Sequence, residues 1–123
     1  MQYMMLIYGP EGGFNDLPQE QLNAMKQEWF VYSQQMGEAG VMVAGDALLP
    51  TTAATCVRVR DGKDLITDGP FAETKEALGG YYLMEVPSVD EAIVWAKRCP
   101  GAQYGTIELR PVMVFDDAPG GVS

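Results

Sequence analysis

Five reactive side chains lie within nine consecutive residues, DGPFAETKE at positions 68–76: three carboxylates, one hydroxyl and one lysine. A lysine can hold an anionic group or a developing enolate, and a nearby carboxylate can move a proton. Asp68, Glu73 and Lys75 are therefore our candidates for catalytic residues. They would stand at the mouth of a pocket between sheet and helix, or at a dimer seam.

The same stretch also fits a purely structural role. Asp68 can accept amide hydrogens from its own turn, and Gly69 before Pro70 is held extended or turned. In this interpretation Phe71 is an apolar plug and the charged residues after it are solvated. A simple turn needs about four residues, so it leaves residues 73–76 unexplained. Both interpretations stay open at the level of sequence.

Four further residues are candidates for ligand binding. They are an arginine that could clamp an anion and three aromatic residues that could line a cavity: Tyr8, Arg60, Phe71 and Tyr81. Each has an ordinary interpretation too, because strand arginines are commonly exposed and strand aromatics are commonly core or interface. Cys56 and Cys99 have no histidine to activate them, so we expect no thiol nucleophile.

Composition argues against several classes of function. The net charge is −9 over 123 residues, and such a surface repels phosphate backbones and anionic headgroups, so we expect no nucleic-acid and no membrane binding. Histidine is absent and no metal-ligand spacing occurs, so we expect no metal and no cofactor. The two cysteines form no disulfide framework and the apolar start is too short for a leader, which favours the cytoplasm.

The strands are predicted from runs of apolar residues. Unbroken apolarity at residues 3–8 and 81–86 is typical of strands that are covered on both faces. Asp61 and Gly62 predict a two-residue hairpin turn. The remaining predicted strands are 41–47, 54–60, 65–67 and 103–109.

Two helices are predicted from apolar residues spaced three and four apart, over residues 18–39 and 88–99. Gly40 is the natural end of the first helix. Ser88, three residues before a glutamate, predicts a capping box at the start of the second.

This order of elements is a ferredoxin-like split βαβ plan of the α+β class with an added hairpin. We expect one domain over residues 1–116 and a flexible tail over 117–123. Two helices can cover only one face of the antiparallel sheet. A second copy stacked on the other face would cover it, so the sequence predicts a homodimer.

Several segments resemble the DGPF domain family within the YCII-related group. Residues 68–76 look like the signature that names the family, and four other segments look similar to it: 3–9, 57–62, 79–86 and 89–92. The resemblance implies a dimeric α+β barrel like that of muconolactone isomerase-like enzymes, and some members are associated with extracytoplasmic-function sigma factors. YCII relatives carry a His–Asp pair proposed to be catalytic, which a chain without histidine does not have.

The function expected from these observations is a small-molecule-binding or regulatory dimeric domain, with a small anionic metabolite as its ligand. The missing His–Asp pair and the lack of a credible nucleophile favour binding. The alternative is a cofactor-free isomerase or lyase that uses the carboxylates and Lys75 for proton transfer.

Overall fold

A computed structural model describes residues 1–10, 14, 16–70 and 74–115. The predicted tail at 117–123 lies outside the described residues. The elements are β1 (Gln2–Pro10), α1 (Gln19–Glu38), β2 (Met42–Ala47), β3 (Thr55–Arg60), β4 (Lys63–Asp68), β5 (Glu76–Glu85), α2 (Val89–Arg98), α3 (Gly101–Tyr104) and β6 (Thr106–Pro111). A 3₁₀ turn, Thr51–Ala53, follows β2.

Four strands form an antiparallel sheet in the order β2-β5-β1-β6. The first and last strands along the chain thus flank each other, which is the split βαβ arrangement. The predicted α+β class with a ferredoxin-like sheet is confirmed. The hairpin β3–β4 is a two-stranded sheet of its own.

The core lies on the face of the sheet that α1 and α2 cover. Along β1 the buried residues alternate, as strand geometry requires when one face is packed. Tyr32 of α1 donates a hydrogen bond of 2.7 Å to the carbonyl oxygen of Trp95 in α2, so the polar group that it buries is satisfied. The buried hydrophobic residues are Tyr3, Met5, Ile7, Tyr32, Met36, Tyr82, Met84, Val86, Ala92, Trp95 and Cys99.

Gly40 ends α1 as predicted, and Ser88 caps the start of α2. Gly40 has a φ of 72°, and the amides of Gly40 and Val41 donate to the carbonyls of Gly37 and Met36. This is a Schellman motif, which favours glycine because the left-handed conformation strains other residues. At α2 the Ser88 hydroxyl accepts the amide hydrogen of Glu91 at 3.3 Å.

The hairpin turn is confirmed and the predicted start of the last strand is wrong. Asp61 and Gly62 have φ values of 52° and 74°, as a type I′ turn requires. β6 begins at Thr106 rather than residue 103, because α3 intervenes. Pro100 already has a helical conformation there, and the Gly105 amide closes the turn on the Gly101 carbonyl at 2.9 Å.

α1 has the length of a membrane span but not its composition. Its 20 residues extend about 30 Å. Glu20, Lys26, Glu28 and Glu38 are distributed along it. In the described part of the chain, no helix is both long and apolar enough to cross a bilayer.

Candidate ligand cavity

Small side chains on one half of the helix-covered sheet face leave a space beneath α1. Gly9 lies on the same face as Ile7 by strand alternation and pairs with Ala77. Gly80 pairs with Ile7 on one side and with Ala47 on the other. Bulky buried side chains fill the other half of this face, among them Tyr3, Met5 and Met84. The sheet therefore packs tightly at one end and stays open at the other.

The space is a cavity of about 780 Å³, bounded by the ends of β1, β2 and β5 below and by α1 above. Two of its glycines are also needed for strand packing. A Cβ on Gly45 would lie 2.7 Å from the Tyr82 ring, and one on Gly80 would lie 2.9 Å from the Asp46 carbonyl oxygen. A Cβ on Gly9 would meet no atom within 4 Å. Gly9 therefore leaves open space where a side chain would fit.

One face of α1 forms the upper wall. Lys26, Trp29, Phe30 and Ser33 line the cavity, and their spacing of three, four and seven residues puts them on one side of a helix. Trp29 also packs against the core, where its ring meets Tyr32 edge-on at 6.5 Å. The upper wall is thus anchored to the core and mainly aromatic.

Apolar residues at the cavity mouth are unusually exposed. Phe30 has 64% of its surface exposed and Leu49 has 80%. Phe14 and Tyr104, which both line the cavity, make an edge-on ring contact at 5.7 Å. An exposed apolar rim around a cavity of this size is typical of a ligand-binding site.

Most polar groups of the cavity already have partners. The hydroxyls of Ser33 and Tyr82 share a hydrogen bond of 2.6 Å, and burial raises the pKa of Tyr82, so its phenol stays neutral. Asp46 accepts the Tyr81 hydroxyl at 2.6 Å. Lys26 forms no ion pair with any residue that the structure describes.

Two of the predicted ligand-binding residues, Tyr8 and Tyr81, belong to the strand segments that bound this cavity. By strand alternation their side chains lie on the face of the sheet that the helices leave open. Tyr8 donates a 3.2 Å hydrogen bond to Glu108. Partial removal from water and this carboxylate raise the pKa of Tyr8. The hydrogen bond to Asp46 raises the pKa of Tyr81. Both phenols therefore stay protonated at neutral pH and act as donors.

The described residues of the candidate catalytic stretch, 68–70 and 74–76, do not line the cavity. Among the described residues, neither Asp68 nor Lys75 lines the cavity. Asp68 pairs with Thr55 at the base of the hairpin, and Gly69, with a φ of 86°, donates to the Ala54 carbonyl at 2.6 Å. These contacts extend the ladder between β3 and β4 by one residue.

Arg60 does not join Tyr8 and Tyr81 at the cavity. Arg60 lies at the tip of the hairpin, where its guanidinium donates to the Val59 carbonyl at 3.0 Å. Phe71 and Glu73 lie outside the described residues. Glu76, in the same stretch, accepts a 2.8 Å hydrogen bond from Thr106 of β6.

The α1 wall was not predicted from the sequence, because the candidate residues were all taken from the strands and from the stretch 68–76. Two signals were available. Lys26 and Ser33 extend the aromatic pair Trp29 and Phe30 into one helical stripe. Glycines also recur at the predicted strand ends, at Gly9, Gly45 and Gly79–Gly80, where small side chains reduce packing.

Comparison with known proteins identifies the family of the chain. A protein of Rhizobium meliloti (strain 1021), described as uncharacterized, is 34% identical over 117 residues, which cover 94% of each chain. The model of the YCII-related domain matches residues 1–116. This match includes the sheet, the helices and the cavity between them, and it shows that the chain belongs to the YCII-related domain family.

Proposed function

We propose that this protein is a small-molecule-binding domain whose ligand occupies the cavity beneath α1. The observation that carries the proposal is the cavity itself, about 780 Å³, within the range of about 300 to 1,000 Å³ that is usual for ligand sites. Its walls are mainly apolar and aromatic with few polar groups, as in sites that select a ligand by shape. The ligand class is therefore a compact, mostly apolar molecule.

We propose further that the protein is a homodimer, formed through the sheet face that the helices leave open. On this face Met4 lies beside Leu83, and Leu6 lies beside Tyr81; all four are only half-buried. Polar residues surround them, including the ion pair of Glu108 and Arg110. An apolar centre with a polar rim is the usual composition of a protein interface.

Residues 68–76 support assignment to the DGPF branch of the family, as the sequence resemblance suggests. A regulatory role is consistent with this branch: binding in the cavity would be communicated through β1 and β5. These two strands contribute to the cavity and also form the centre of the open face. Ligand binding and subunit association would then be linked.

The binding proposal is tested with a neutral aromatic probe, 2-naphthamide, by isothermal titration calorimetry. We expect a Kd of about 0.1 mM, since the small probe has few atoms to contribute binding energy. Absence of saturable binding of every neutral or charged naphthalene probe would overturn the proposal. Incubation with a metabolite extract provides the second arm. Consumption of a compound would replace binding with the isomerase or lyase alternative.

The dimer proposal predicts that Leu6→Glu converts the protein to monomers. A buried unpaired carboxylate at the centre of an interface costs several kcal/mol, so we expect analytical ultracentrifugation to show twice the 13.4 kDa chain mass for the wild type and the single mass for the variant. Val94→Glu on the exposed side of α2 is the matched control and should stay dimeric. A monomeric wild type at micromolar concentration would contradict the proposal.

A further inference from the structure

We propose that the ligand of this cavity is a small aromatic monoanion, such as an aryl carboxylate, and that Lys26 binds its charged end. The inference rests on the proposed function, because it concerns the occupant of the same cavity. It assigns the anion-binding role to a helix residue outside the 68–76 stretch. Three observations carry it: Lys26 forms no ion pair with a described residue, most other polar groups of the cavity are already hydrogen-bonded, and the walls are mainly aromatic and apolar.

Lys26 has no acidic neighbour on its own helix. The side chains that lie beside it on α1 are those three and four residues away, namely Leu22, Asn23, Trp29 and Phe30. None of them carries a charge. Glu28 is two residues away, on a different side of the helix, and accepts a hydrogen bond from Tyr104. Lys26 therefore has Trp29 and Phe30 as neighbours on its helix and no counter-ion from α1.

The elements that face α1 do not neutralise Lys26 either. Asp46 is the one carboxylate among the described cavity residues; it accepts the Tyr81 hydroxyl and forms no ion pair with Lys26. Ser33 and Tyr82 are bonded to each other. A ligand with only neutral hydrogen-bonding groups would meet cavity side chains that are mostly hydrogen-bonded to each other already. An anion would instead find a cation that forms no ion pair with any described residue.

The charge and shape of the cavity limit the anion to one negative charge on an aromatic body. In the described wall Lys26 is the only cation, and the chain as a whole carries a net charge of −9, so a polyphosphate would be repelled. Trp29, Phe30 and Tyr104 offer ring faces and edges to a flat apolar group. A carboxylate on an aromatic ring combines both features.

The test compares two probes of the same shape, 2-naphthoate and neutral 2-naphthamide, by calorimetry at low salt. We expect the wild-type protein to bind the carboxylate about tenfold more tightly, as a charge-assisted contact would give. Lys26→Met keeps the length of the side chain and removes its charge. It should abolish this preference and leave the Kd of 2-naphthamide unchanged. Lys97→Met on α2, outside the cavity, removes the same charge and should preserve the preference.

The outcomes separate this inference from the proposed function. Equal affinity of the wild type for both probes, or a preference that survives Lys26→Met, would overturn the anion assignment while leaving binding in the cavity intact. If Lys97→Met loses the preference for the carboxylate as well, the preference reflects the net charge of the protein and not a contact with Lys26. That result would also overturn the anion assignment. Failure of both probes to bind any variant would contradict the proposed function itself.

Discussion

Gly105→Ala is expected to lower the free energy of unfolding by about 3 kcal/mol, because the added methyl group overlaps the backbone of β1. Its Cβ would collide with the carbonyl oxygen of Tyr8 and lie 3.0 Å from the Cα of Gly9. Neither atom belongs to a flexible side chain, so the strands themselves must separate. Chemical denaturation followed by circular dichroism measures this loss as a lower midpoint at an unchanged slope.

Gly37→Ala is the matched control for this variant. Gly37 lies in α1, where a Cβ would meet no atom within 4 Å, and alanine is the better helix former by about 1 kcal/mol. The same chemical change should therefore stabilise the protein at position 37 and destabilise it at position 105. Equal stability of Gly105→Ala and the wild type would mean that β6 does not approach β1 so closely.

The predictability of the fold follows from the local nature of its signals. The spacing of apolar residues placed α1 within one residue of Gln19–Glu38, because a helix covering a sheet repeats its buried face every three to four residues. Gly40 and Ser88 marked helix ends because the terminal amides and carbonyls need specific partners. The short helix α3 was not predicted, since the four residues after Pro100, which begin with Gly101, are too few to show periodicity.

The cavity was not predictable in the same way, because no single segment encodes it. It exists where glycines and alanines of three strands lie under one face of α1, and that juxtaposition depends on strand order and register. The stretch at 68–76 attracted attention because its reactive residues are adjacent in sequence. Lys26 has no reactive residue beside it in the chain, and only the fold brings it to aromatic residues from other elements.

Gly9→Leu is expected to weaken the binding of 2-naphthamide more than tenfold without destabilising the protein. The leucine side chain would project from β1 into the space that the ligand needs, since a Cβ there meets no atom within 4 Å. The φ angle of Gly9 is not positive, so leucine can adopt its backbone conformation. A strand interior also generally favours a larger residue over glycine. We therefore expect the melting temperature to stay the same or to rise while the heat of binding disappears.

Gly37→Leu separates occlusion of the cavity from a general effect of adding an apolar side chain. It makes the same substitution at another glycine with free space around it, but on α1 away from the cavity wall, so the probe should bind with wild-type affinity. Undiminished binding to Gly9→Leu would place the ligand elsewhere on the protein. Loss of binding in Gly9→Leu with an intact fold would instead show that the ligand binds in the cavity beneath α1. There the small residues of three strands face the aromatic side of one helix.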